Sequence, residues 1–231
     1  LEELIRKKTG NKADELDSTA SVDDWKTTVP EGYDFDAVVD APKEECPRCK
    51  KMIIVDQLAS HKDSHSSEII DGVLFLGGER NAKNEKELKE RTFIKEILCV
   101  SIESTNQFPD DFMYHNYAFK DNADQDISEQ LEEIISIIEN AEKAGNPMLV
   151  HCVQGISRSA TVVIAYCMKT RKWSLKESYD YVRSRRRIIS PNEGFITQLG
   201  EYEKKLYSID TPTLSVSDVF PEGLTRIQTN S

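Results

Sequence analysis

The chain has 231 residues, with 41 acidic against 30 basic side chains and a net charge of −11. That balance argues against general affinity for nucleic acid or for an anionic membrane surface. The length allows one ordinary domain plus smaller additions, and no apolar run approaches a bilayer span.

Residues 1–40 are polar and acidic and read as a tail or linker, with a short helix expected over 1–8 and a strand over 34–39. No signal peptide is visible, and the start at Leu1 rather than Met is that of a trimmed fragment. Five cysteines fit a reducing compartment, cytoplasmic and/or nuclear, better than a disulfide framework.

Residues 41–67 carry Cys46, Cys49, His61 and His65 in the spacing Cys-x2-Cys-x11-His-x3-His. Two thiolates on a tight turn and two imidazoles one helical turn apart converge on a tetrahedral zinc. Ile53 and Leu58 are the expected core of this unit, which is too short to fold on burial alone and takes the missing stability from the metal. The pattern resembles a C2H2-type zinc finger. Leu58-x2-His61-x3-His65 is similar to the small ubiquitin-binding fingers, which implies a ubiquitin-like protein partner. Asp56, Asp63 and Glu68 leave no basic face for DNA.

A main domain is expected over 68–207. Residues 69–76 read as a hairpin broken at Asp71-Gly72, 85–93 as a charged amphipathic helix, 97–102 as a buried strand, and 113–119 as an alternating strand. A polar loop over 120–126 holds Asp121, Asp124 and Asp126, the last placed to cap a helix over 127–144. In that helix Leu131, Ile134, Ile135, Ile138 and Ala141 recur at helical spacing. An apolar strand at 148–150, a loop from Cys152 to Arg158 and an apolar helix at 160–168 follow. Ser174 caps the next helix, and Asn192 opens a last one. Arg183, Arg185, Arg186 and Arg187 read as a solvated basic helix end, or more sharply as a dock for acidic or doubly phosphorylated peptide. Residues 208–231 read as a tail. Strands alternating with helices indicate an α/β sheet flanked by helices.

The loop after the 148–150 strand carries the chemistry. Backbone N–H groups at a helix start and the helix dipole suit an oxyanion. Gly155 lets the chain curl around a phosphate-sized group, and Arg158 brings a planar fork for two of its oxygens. A cysteine in that field is expected to act as a nucleophile, which points to Cys152.

Cys152, Arg158 and Ser159 form Cys-x5-Arg-Ser, and the string HCVQGISRSAT resembles the signature loop of the dual-specificity protein phosphatases, a likeness that extends over about 69–206. The resemblance implies the cysteine-phosphatase fold, a central mixed sheet flanked by helices, beside the small N-terminal zinc-finger-like unit. It implies Cys152 as nucleophile, with Val153, Gln154, Gly155, Ile156, Ser157 and Arg158 around the phosphate. Asp121, in Phe119-Lys120-Asp121-Asn122, matches the family's general acid, with Asp124 and Asp126 as rivals. Ser159 is expected to donate to the Cys152 sulfur, His151 and Pro191-Asn192 to brace the loop, and Cys99 and Cys167 to be core thiols. Catalysis needs no cofactor; a structural zinc belongs to the finger, whose loss is expected to leave catalysis largely intact. The loop interior has no lysine, which favours phosphoprotein substrates over inositides. A glucan, an RNA 5′ end, or a phosphopeptide-binding or ubiquitin-directed scaffold are the alternatives.

Overall fold

In the computed structural model, which describes residues 42–221, short apolar runs form the strands. The helix expected over 1–8 and the strand expected over 34–39 lie outside the described residues. β1 (Lys43–Glu45) and β2 (Met52–Ile54) pair as an antiparallel hairpin, and α1 (Val55–Asp63) follows directly. β3 (Ser67–Ile70), β4 (Leu74–Gly78), β5 (Glu96–Cys99), β6 (Met113–Asn116) and β7 (Met148–Cys152) form a second sheet in the order β3-β4-β7-β5-β6. β3 is antiparallel to β4 at one edge, whereas β4, β7, β5 and β6 are parallel neighbours, so the sheet is mixed. α2 (Glu79–Ala82) and a π-helical turn (Glu87–Arg91) precede β5, and α3 (Ser128–Ala144) precedes β7. α4 (Arg158–Arg171), α5 (Leu175–Arg185), α6 (Glu193–Tyr207) and α7 (Val216–Val219) complete the described chain. None of these helices is long and apolar enough to cross a membrane.

β4, β5 and β7 are buried at every position, as parallel strands covered on both faces are. Successive side chains point to opposite faces. Leu74, Leu76, Leu98, Val100, Met148 and Val150 enter the larger core, with apolar residues of α3, α4 and α6. Phe75, Ile97 and Leu149 pack with Leu88, Ile94 and Phe112 on the other face. β7 is the central strand, and α4, buried from Arg158 to Met168, starts just beyond its carboxyl end. In an open α/β sheet, that end is where ligands bind.

Several expectations change on contact with the structure. The helix expected over 85–93 starts as α-helix at Glu85 and Lys86 but runs on as a π-helical turn over Glu87–Arg91 and ends there. Glu87 is turned inward there, 5% exposed, to accept from the Ser66 N–H at 2.7 Å and to pair with Arg91. Burial pushes the Glu87 carboxyl up, but the Ser66 and Arg91 hydrogen bonds outweigh it and hold it below the ordinary range. The strand expected over 113–119 stops at Asn116, because a tight Phe119 N–H to Tyr117 carbonyl turn (3.0 Å) redirects the chain. Arg186, expected in a solvated basic end, is 3% exposed.

Packed structure also continues past 208, where a tail was expected. Leu214 is 4% exposed, and Val216, Val219 and Phe220 pack against the larger core. The attachment point is Glu203, fully buried, which accepts from Leu175 N–H (2.6 Å), Thr213 N–H (2.7 Å) and the Thr213 hydroxyl (2.7 Å). Glu203→Ala is expected to destabilise the fold by about 1–3 kcal/mol for each buried donor it orphans, read from urea unfolding. A loss under about 0.5 kcal/mol, the range of an ordinary surface change, would show that 208–221 are not held this way.

Candidate active site

The loop between β7 and α4 has its carbonyls tied outward, one by one. The Val153 carbonyl accepts from Glu79 N–H at 2.9 Å, and the Ile156 carbonyl from Ser190 N–H at 2.9 Å. The Ser157 carbonyl accepts from Thr161 N–H and the Thr161 hydroxyl, both at 2.9 Å. The Gln154 and Gly155 carbonyls accept from one side chain, Arg186, through Nη2 at 3.2 Å and Nε at 2.8 Å. In a planar trans peptide the N–H points opposite to the carbonyl it is bonded to. Outward carbonyls at 153–157 therefore aim the N–H groups of residues 154–158 to the inside of the loop. The Gly155 N–H does point at Cys152 Sγ, 3.3 Å away.

Gly155 makes this curl possible. Its φ is +70°, and an added Cβ would lie 2.4 Å from the Gly77 carbonyl oxygen. Only glycine meets both conditions without strain.

Cys152 is 1% exposed, and its sulfur accepts from the Ser159 hydroxyl at 3.3 Å. Arg158, 4% exposed, donates through Nη1 to the Phe119 carbonyl (2.9 Å) and the Ser101 hydroxyl (3.3 Å), and the same nitrogen pairs with Glu103. Its Nε is buried and makes no hydrogen bond, so one donor of a buried cation is left for a ligand. Burial raises the Glu103 carboxyl, but hydrogen bonds from Ser101 and Arg158 outweigh it and keep it below its ordinary range.

Asp121 reaches this group from the loop after β6. Its Oδ2 lies 3.8 Å from Arg158 Nε, and its Oδ1 accepts from the Ser157 hydroxyl (2.7 Å) and Asn192 Nδ2 (3.0 Å). Asn192 also caps α6 by accepting from Phe195 N–H, so one side chain both starts that helix and holds Asp121. Asp124 is exposed. Asp126 accepts from Ser128 N–H at 2.8 Å at the start of α3, and that pairing lowers its pKa.

The supporting residues divide more finely than the sequence suggested. His151 is 2% exposed, with Nδ1 3.2 Å from the Cys152 carbonyl, and burial lowers its pKa. Cys99 and Cys167 are buried; burial raises the first and pushes the second up to about 12. Val153 and Ile156 are half-buried and Gln154 exposed at the loop rim. Ser101, Glu103 and Arg186 were not singled out as site residues. Arg186 stood in the basic run, but its partners lie far off in sequence, and Ser101 and Glu103 sit in an unpatterned polar stretch.

Cys46, Cys49, His61 and His65 come together at the β1–β2 turn and α1. Their ligand atoms all lie within 4.8 Å of one another. Cys49 Sγ is 3.2 Å from His61 Nε2, and His65 Nε2 is 3.3 Å from the same atom. His65 turns its other nitrogen, Nδ1, to Glu87 Oε2 at 3.6 Å. Burial raises the Cys46 thiol, but hydrogen bonds to Cys49 and Arg48 outweigh it and lower its pKa.

Comparison with known proteins places the family. Residues 74–205 match the family model described as dual specificity phosphatase, catalytic domain. Protein phosphatase Slingshot homolog 2 of Homo sapiens is 43% identical over 130 residues, 56% of this chain and 9% of that protein. The chain spans only 9% to 19% of the length of the first Slingshot relatives it matches. Dual specificity protein phosphatase 1B of Arabidopsis thaliana is 39% identical over 140 residues, 61% of this chain and 83% of that protein. The crystal structure of human DUSP28 aligns with a TM-score of 0.58 at 32% identity, over 61% of this chain and 94% of that one. That of the human tyrosine phosphatase-like serine/threonine/tyrosine-interacting protein gives 0.57 at 34%, over 62% and 97%. With a family match that covers most of the sheet, the 152–158 loop and the helices behind it, the chain belongs to the dual specificity phosphatase family.

Proposed function

We propose that the chain hydrolyses phosphate monoesters of tyrosine and of serine or threonine in proteins, through a cysteinyl-phosphate. The observation that carries this reading is the loop itself. Five outward carbonyls turn their paired N–H groups to the inside of the loop, where Gly155 N–H meets Cys152 Sγ, and the buried Arg158 Nε makes no hydrogen bond, its nearest partner being Asp121 Oδ2 at 3.8 Å. A tetrahedral dianion accepts from all of them and satisfies the orphaned donor.

In the first step, the Cys152 sulfur attacks phosphorus and the ester P–O bond breaks. Asp121 protonates the departing oxygen. Arg158 and the loop N–H groups hold the three equatorial oxygens and stabilise the charge that builds there. In the second step, water attacks phosphorus, Asp121 takes its proton and the S–P bond breaks. The Ser159 hydroxyl, already on the sulfur, eases that departure. The side chains named suffice for both steps without a metal. The loop interior presents no cationic side chain besides Arg158, which suits a single phosphoryl group on a peptide rather than a polyphosphorylated head group.

For the Cys46, Cys49, His61 and His65 unit we propose one structural zinc. Two sulfur and two nitrogen donors within 4.8 Å suit tetrahedral zinc, and a carboxylate on the far nitrogen of a ligating histidine is the usual support for it. The exposed positions of α1 offer Val55 as their one large apolar side chain, so we assign the unit a structural role rather than a ubiquitin-directed one.

Cys152→Ser is expected to abolish turnover and keep phosphate or tungstate binding, because the N–H groups and Arg158 remain. Undiminished hydrolysis would end the covalent route. Asp121→Asn should slow alkyl and phenyl esters by about a hundred- to ten-thousand-fold, and activated aryl phosphates much less. Asp124→Asn should leave both unchanged; if it instead reproduces the leaving-group dependence, the acid is the other carboxylate. Metal analysis of chain purified without chelator should find one zinc, lost in Cys49→Ser; equal zinc in both would refute the ligand set.

A further inference from the structure

The Cys/His unit lies outside the matched segment, but it is wired to the phosphate loop. Arg186 is the first connection. The guanidinium that holds the Gln154 and Gly155 carbonyls also donates through Nη1 to the backbone carbonyl of His65, at 3.0 Å, and to Ser67 Oγ at 3.4 Å. A single planar, buried group thus joins a candidate metal ligand to two consecutive peptides of the loop.

The second connection runs through the imidazole. His65 Nδ1 faces Glu87, and Asn81 Nδ2 donates to Glu87 at 3.3 Å. Asn81 Oδ1 accepts from the Gly78 N–H at 2.9 Å, at the end of β4. The next residue, Glu79, holds the Val153 carbonyl through its N–H at 2.9 Å. Three of the five loop carbonyls, those of Val153, Gln154 and Gly155, are therefore tied to groups that meet at His65.

Metal coordination would fix both ends of His65: its ring through Nε2, and its backbone through the closed β1–β2–α1 unit. Without it, the short hairpin and α1 keep little buried surface, since Cys46 and Leu58 are their only buried apolar residues among those described. A loosened His65 carries away an acceptor of Arg186 and the partner of Glu87.

We propose that the metal unit is a brace for the phosphate loop, with Arg186 as the positioning residue that transmits it. This rests on the zinc and phosphatase readings above, and it reverses the expectation that zinc loss leaves catalysis intact. Carbonyls freed from Arg186 let the peptides of 154–156 rotate, and their N–H groups then no longer converge on the oxyanion.

The test uses the full chain in the Cys152→Ser background, so that added zinc cannot be captured by the nucleophile. Tungstate affinity is measured by calorimetry on zinc-loaded chain, on chelator-stripped chain and on stripped chain given one equivalent of zinc, with metal content determined for each. Stripping should weaken tungstate binding roughly tenfold or more, and re-addition should restore it. Arg186→Gln in the loaded chain should weaken binding similarly without losing zinc, and zinc should not rescue it. Amide exchange should speed up at 153–157 in both cases while β5 and the middle of α4 stay protected, which general unfolding would not give. In the active chain, kcat/KM for an aryl phosphate should fall in parallel. Tungstate affinity within about twofold after verified zinc loss would overturn the brace. If the stripped chain unfolds, unchanged affinity in zinc-loaded Arg186→Gln overturns it. A wild-type chain without zinc that gains nothing from added zinc also overturns it. The binding arm decides even if the loaded chain turns over nothing, in which case the phosphatase reading alone fails.

Discussion

The site depends on one constraint: a short run of backbone must be held with its carbonyls outward. A free loop would expose carbonyls and N–H groups alike, and their dipoles would cancel at any bound anion. Here Val153 is tied by the start of α2, Gln154 and Gly155 by Arg186, Ile156 by Ser190, and Ser157 by α4. Preorganised donors of this kind need no reorganisation when charge develops, which is why they act more strongly than solvent would. The curl also requires that nothing stand between the loop and β4. Gly77 and Gly78 face it without side chains, and a Cβ on Gly78 would lie 2.8 Å from the Val153 oxygen.

The same economy governs Asp121, the proposed acid. Asp121 is placed by groups that already have structural duties: Ser157 from the loop and Asn192 from the α6 cap. α6 approaches so closely that a Cβ on Gly194 would lie 2.0 Å from the Ala123 carbonyl oxygen, which sets the path of the loop carrying Asp121. Arg158 sits between two carboxylates, Glu103 on Nη1 and Asp121 near Nε. Glu103 and the Phe119 carbonyl hold the guanidinium through Nη1 and leave Nε without a hydrogen bond.

Much of this was legible in the sequence, and what was missed has a common cause. The apolar stripe of α3, the caps Ser174 and Asn192 and the strand–loop–helix around Cys152 rest on neighbours a few residues apart, and the Cys/His spacing on two such pairs. Glu87, Arg186 and Glu203 were read as surface charge or not read at all, yet each is buried. A charged side chain is buried only when partners repay its desolvation. Those partners lie 121 residues away for Arg186 and His65, and 28 for Glu203 and Leu175. Periodicity and composition carry no information at such separations. The packing past 208 was missed in the same way, since Ser, Thr and Pro conceal a segment held by the buried Glu203 carboxylate and by Leu214, Val216, Val219 and Phe220 on the core.

The central claim is that Cys152 itself takes the phosphoryl group. It is tested most directly by quenching the chain during turnover of a phosphotyrosine peptide and mapping the covalent adduct by mass spectrometry. The account predicts a phosphoryl group on the sulfur of Cys152 and on no other side chain, formed in step with release of the first product. Turnover with no adduct at any quench time, or an adduct on His151 or another residue, would contradict it.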